Sequence, residues 1–197
     1  MPPDTSTPNP LRDIQHKYSA LQLYLISGLC AVILGIIGYL WLREAKTYQS
    51  YANPSYGFAL KYPSDWAVTE NKDNTAVIFN SPRKNALDAF SENVNVVIQG
   101  VDPRLSLEVY SDRAVKQLQA VFKAKIEIID QEPFTLAGFP AAKFTYIARD
   151  PIYDLKITHV WALKNGKAYQ ITYVATLADY DLYIKSVNAL FRSFKLL

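Results

Sequence analysis

His159 is the side chain in this sequence best suited to acid–base or metal chemistry. The chain has two histidines, and His16 lies in a proline-bearing polar start. An imidazole needs partners to hold a metal or move a proton. Glu132, Asp150 and Asp154 are the acids within reach along the chain, and His159 and Asp154 are the candidate metal ligands. No fixed short spacing joins these residues, as it would in a typical metal-binding motif. A single histidine beside Trp161 in a strand is more often a structural side chain. The acid pairs Asp150/Asp154 and Asp179/Asp181 lack the Asp/Asn/Gly density of a calcium loop, and read as a solvated turn and a helix cap.

Other chemistries are thinly represented. No G-x-S-x-G nucleophile motif occurs, and seven glycines leave no glycine-rich phosphate loop. The single cysteine, Cys30, excludes disulfides and cysteine-based metal sites within one chain. It follows Leu29 rather than a small residue, and apolar residues continue after it, which argues against a lipid-attachment site. A formal net charge of +3 with no basic block argues against a nucleic-acid binder. Tyr56, Tyr62 and Trp66 form either a partner-binding patch or, by the plainer reading, part of the core. No catalytic constellation is visible, so a function has to be sought in resemblance to known proteins rather than in these residues.

The chain is organised by residues 21–42, LQLYLISGLCAVILGIIGYLWL, which carry no charge and lie between Lys17 and Arg43. As a helix this run is about 33 Å long, enough to cross a hydrocarbon core of about 30 Å. Tyr18, Tyr24, Tyr39 and Trp41 match interfacial aromatic belts. The sequence therefore predicts a disordered tail over 1–17, a transmembrane helix over 18–43, a juxtamembrane link over 44–50 and a folded domain over 51–197. Arg12 and Lys17 before the span balance Arg43 and Lys46 after it. The usual plan for an N-terminal anchor then places the tail inside and the domain outside the cytoplasm. Ser27, Ala31 and Gly35 fall four apart and mark a candidate face for helix–helix contact and dimerisation.

Within 51–197, strands are expected at 58–62, 66–69, 76–79, 93–99, 125–130 and 141–148, with a break at Pro133. Ser106 caps a helix reaching about residue 123, and Asp179 caps a second carrying Tyr180, Tyr183, Val187, Leu190 and Phe191 at helical spacing. Residues 193–197 end as a short strand. Asn165-Gly166 marks a hairpin. If these two residues form the turn, Trp161 faces Gln170 and His159 faces Thr172, while Val160 meets Ile171 on the other side. Both faces then carry apolar groups, which calls for cover on both.

These residues also resemble a known family. Tyr51-x-Asn53-Pro54-x-Tyr56-Gly57-Phe58 and Tyr62-Pro63-x-x-Trp66 are similar to the opening of the PsbP family, whose type member is the extrinsic lumenal protein of photosystem II. The likeness continues through Phe79-x-Ser81-Pro82, Phe90-Ser91-Glu92-Asn93-Val94-Asn95-Val96, 107–118, 136–141, 161–173 and Ser193-Phe194-Lys195. It implies an α+β fold, an α/β/α sandwich with a central antiparallel sheet. It also implies a non-enzymatic, extracytoplasmic protein that docks on a membrane complex. In photosynthetic members that role includes calcium and chloride retention at the water-oxidising centre, so calcium is the ion the resemblance suggests. The alternative is an envelope or sensing domain unrelated to photosynthesis. Plant members are cleaved and cyanobacterial ones usually lipid-anchored, whereas an uncleaved span stands here.

Overall fold

A computed structural model describes residues 31–37, 47–72, 74–122, 126–149 and 152–197. The chain divides into two compact units, Met1–Lys46 and Thr47–Leu197. In the first, residues 31–37 are helical and exposed. Ala31 and Gly35 lie one turn apart there, and a Cβ placed on Gly35 would meet nothing within 4 Å. Ser27 and most of the expected span lie outside the described residues. No helix among the described residues is long and apolar enough to cross a membrane, so the transmembrane helix is not shown.

The second unit begins with β1 (Tyr48–Asn53), which takes up part of the stretch expected as a link. It pairs antiparallel with β2 (Phe58–Pro63), Tyr51 opposite Leu60. A short strand, β10 (Lys195–Leu196), joins the other edge of β2. This three-stranded sheet is separate from the large one, so the single central sheet of the sequence reading is incomplete.

The large sheet has seven antiparallel strands in the order β3-β4-β5-β9-β8-β7-β6. In chain order these are β3 (Ala67–Glu70), β4 (Val77–Asn80), β5 (Asn93–Gly100), β6 (Ile126–Leu136), β7 (Phe139–Arg149), β8 (Asp154–Lys164) and β9 (Lys167–Thr176). The β8–β9 hairpin turns at Asn165 (φ 51°) and Gly166 (φ 69°), both left-handed as a two-residue turn of this kind requires. The register is the expected one: Trp161 opposite Gln170, His159 opposite Thr172, Val160 opposite Ile171. Pro133 does not end β6, which runs through it. As the outermost strand, β6 needs no N–H on its free side.

Two helices cover the two faces. α1 (Leu107–Phe122) lies on the face of Phe144, Tyr146 and Trp161. Its start is capped by the Ser106 hydroxyl, which accepts from the Val109 amide at 3.2 Å. α2 (Tyr180–Ser193) packs with β2 on the opposite face, burying Tyr183, Val187, Leu190 and Phe191 against Val96, Ile171 and Tyr173. Asp179 makes no side-chain cap for α2. Its carboxylate accepts instead from the Thr176 hydroxyl at 3.0 Å and pairs with Lys84, which lowers its pKa.

Candidate functional site

The sheet face under α1 holds the candidate site. In β8, alternation puts Ile157, His159 and Trp161 on the α1 side and Thr158, Val160 and Ala162 on the α2 side. Trp161 is 1% exposed, and its indole N–H donates to the Ser111 hydroxyl of α1 at 2.7 Å. That hydroxyl donates in turn to the Leu107 carbonyl at 2.7 Å. Tyr110 meets Trp161 edge-on at 6.3 Å and accepts from the Gln99 amide at 2.9 Å. The helix is thus held to the sheet at one row of contacts.

Beside that row lies a cleft of about 450 Å³, ordinary for a small ligand site. Tyr110 and Trp161 give it aromatic walls, and Gln99, Gln117 and Gln170 give it amides. Arg113, exposed on α1, brings the only formal charge among the described lining residues, which include no carboxylate. A cavity with amide donors and acceptors, π faces and one guanidinium suits a planar or acidic group.

His159 borders the cleft, but its nitrogens are engaged. Nδ1 shares a hydrogen bond of 2.9 Å with the Thr172 hydroxyl and Nε2 one of 3.2 Å with the Tyr146 hydroxyl. Its ring stacks on Tyr146 with an interplanar angle of 7°. A neutral imidazole donates from one nitrogen and accepts at the other, and a hydroxyl can serve at either. The residue keeps some exposure, yet its ring nitrogens lie within this packed layer, and burial pushes the pKa down to about 4. Burial also pushes the Tyr146 phenol up to about 12.

A PsbP family model matches residues 46–196, which is most of the chain and all of its second unit but Leu197. The chain belongs to the PsbP family. Among solved structures, it is similar to cyanobacterial PsbP (CyanoP) from Synechocystis sp. PCC 6803, at 17% identity and a TM-score of 0.57. That match covers 77% of this chain and 94% of the other. It is similar as well to LpqN, involved in cell envelope biogenesis of Mycobacterium tuberculosis, at 12% identity and a TM-score of 0.53, over 76% and 91% of the two chains. At these identities the likenesses show the fold alone. No curated protein matches the chain in sequence.

In this PsbP-family domain the sequence-derived metal candidates do not converge. Asp154 and His159 lie five residues apart on β8, hence on opposite faces and about 17 Å apart along the strand. Asp154 is held by Arg149 at 2.6 Å, and Glu132 by Lys143 at 2.7 Å. Asp181 is exposed on the first turn of α2, while Asp179 faces Lys84, and Asp150 lies outside the described residues. Among the described residues no group of three or more His, Cys, Asp or Glu is placed to hold a metal. Tyr62 and Trp66 are buried in the α2-side core, so they do not form an exposed patch.

Sequence reasoning missed Arg113, Gln99 and Gln117, and it placed Gln170 only as the strand partner of Trp161. A signal existed for two of them: Gln99 and Gln170 are polar members of alternating strands, on the face opposite Val96 and Ile171. Arg113 and Gln117 are one turn apart on α1, beside its apolar stripe.

Proposed function

We propose that this PsbP-family chain is a non-enzymatic binding protein tethered by the span over 18–43, with its folded domain on the extracytoplasmic side. The domain docks on a membrane protein complex by receiving an acidic segment of that partner in the cleft under α1. One observation supports this reading: among the described residues, the cleft has aromatic walls, three amides, a single cation and no acid. A carboxylate entering there gains a charge-assisted bond to Arg113 and meets no like charge.

In a membrane that contains chlorophyll, the family points to photosystem II as the complex. Co-purification with it after detergent extraction supports that version, and a source without chlorophyll removes it. The envelope version draws its support from a fold like that of LpqN, and it uses the same cleft.

The test uses the full chain in detergent micelles, titrated with a short acetylated peptide rich in glutamate and with its glutamine counterpart. The glutamate peptide is expected to bind more tightly. Arg113→Gln should weaken it about tenfold, the worth of one charge-assisted hydrogen bond of about 1.4 kcal/mol. Equal affinity for the two peptides, or no effect of Arg113→Gln, contradicts the proposal.

A further inference from the structure

The turns of the large sheet fall at two ends, and the apolar surface is unevenly divided between them. At one end lie the 81–91 loop, the β7–β8 turn, the β9–α2 turn and the close of α1. Leu87 is 93% exposed there, Ile152 77%, Leu182 56% and Leu177 39%. Val121 and Ile128, also exposed, flank the same end. The other end carries the Asn165-Gly166 turn, Asp102 and Arg104, with Val109 and Leu197 as its exposed large apolar residues.

The loop bearing Leu87 is pinned at its base. The Ser81 amide donates to the Glu92 carbonyl at 2.8 Å, and the Ser91 hydroxyl to the Ser81 carbonyl at 2.6 Å. Phe90 packs on Tyr153 beside Ile152, with ring centroids 5.2 Å apart.

The chain enters the domain at this same end. Thr47 accepts from the Ser64 amide at 2.9 Å and shares a hydroxyl–hydroxyl bond with Ser64 at 2.8 Å. Ser64 lies in the tight turn closed by the Trp66 amide on the Pro63 carbonyl at 3.0 Å. Directly after that turn, Ala67 pairs with Asn80, at the strand end from which the 81–91 loop departs. Only four residues, 43–46, separate Leu42, the last apolar residue of the expected span, from Thr47. The five steps from Leu42 to Thr47 span at most about 18 Å when fully extended.

We propose that this end, with Leu87 and Ile152 at its apex, is a lipid-contacting surface seated on the bilayer that anchors the chain. The proposal rests on the tether reading above. The short link holds this end near the headgroups, and Leu87, Ile152 and Leu182 enter the boundary between headgroups and acyl chains, as apolar residues of interfacial proteins do. The domain is thereby fixed in orientation, with the Asn165-Gly166 end pointing away from the lipid.

The test uses the full chain in phosphatidylcholine vesicles with Cys30→Ser as background. An environment-sensitive fluorophore is placed by Leu87→Cys, by Ile152→Cys or, at the far end, by Arg104→Cys. Labels at 87 and 152 should show blue-shifted emission and quenching by doxyl-labelled lipids, and the label at 104 neither. A chain that does not float with the vesicles removes the tether, and the proposal falls with it. A chain that floats while labels 87 and 152 stay as wet as 104 overturns the lipid contact and leaves the tether standing. Labels that shift only in native membranes also overturn it, and assign this end to a protein partner.

Discussion

Trp161→Ala is expected to lower the stability of the folded domain by about 3–5 kcal/mol, read as a fall in the urea midpoint. The indole is nearly inaccessible and sits between Tyr110 of α1 and Phe144 of the sheet. Its removal leaves a cavity where α1 is fastened, and it frees the Ser111 hydroxyl from its donor. Trp161→Phe should cost less, about 1–2 kcal/mol, because most of the apolar volume remains and mainly one hydrogen bond is lost. The same pair of variants bears on function, since Trp161 is a wall of the cleft. A loss below about 1 kcal/mol for Trp161→Ala would mean that α1 is held by contacts other than this row.

The second large effect is pH dependence through His159. Its folded-state pKa, about 4, lies below the ordinary histidine value of about 6.5. As pH falls, the unfolded chain takes up the proton first, so stability is full above about pH 6.5. It declines toward about pH 4 and changes no further from this group below that. A shift of this size corresponds to about 2–3 kcal/mol, allowing for the partial exposure of the residue. His159→Gln removes the titration while keeping a polar group beside Thr172 and Tyr146. Stability measured from pH 7 to pH 4 should therefore fall more steeply in the natural protein than in the variant. Parallel curves would show that the imidazole is as readily protonated in the folded domain as in water.

The hairpin that sets His159 against Thr172 and Trp161 against Gln170 was legible in the sequence because Asn165-Gly166 fixes the turn and alternation does the rest. The two covered faces followed from that same hairpin, whose apolar groups point both ways. The cleft was not legible. It depends on where α1 lies across β8 and β9, and periodicity gives a helix its buried stripe but not its place on a sheet. Arg113 and Gln117 look like ordinary solvated helix residues until that placement is known. Pro133 suggested a break because the sequence does not reveal that β6 is an edge strand, where a missing N–H costs little. Asp179 looked like a helix cap because the competing partner, Lys84, lies far away along the chain. The separate sheet of β1, β2 and β10 was hidden for a similar reason: its last strand is two residues long and comes from the far end of the chain.

The most direct test of binding under α1 follows the Trp161 indole N–H and Arg113 guanidinium resonances while the glutamate-rich peptide is added to the full chain. Both should move early and saturably, with residues of α2 on the opposite face unmoved. Saturable binding that shifts α2 and leaves Trp161 and Arg113 still would place the contact elsewhere and contradict the account.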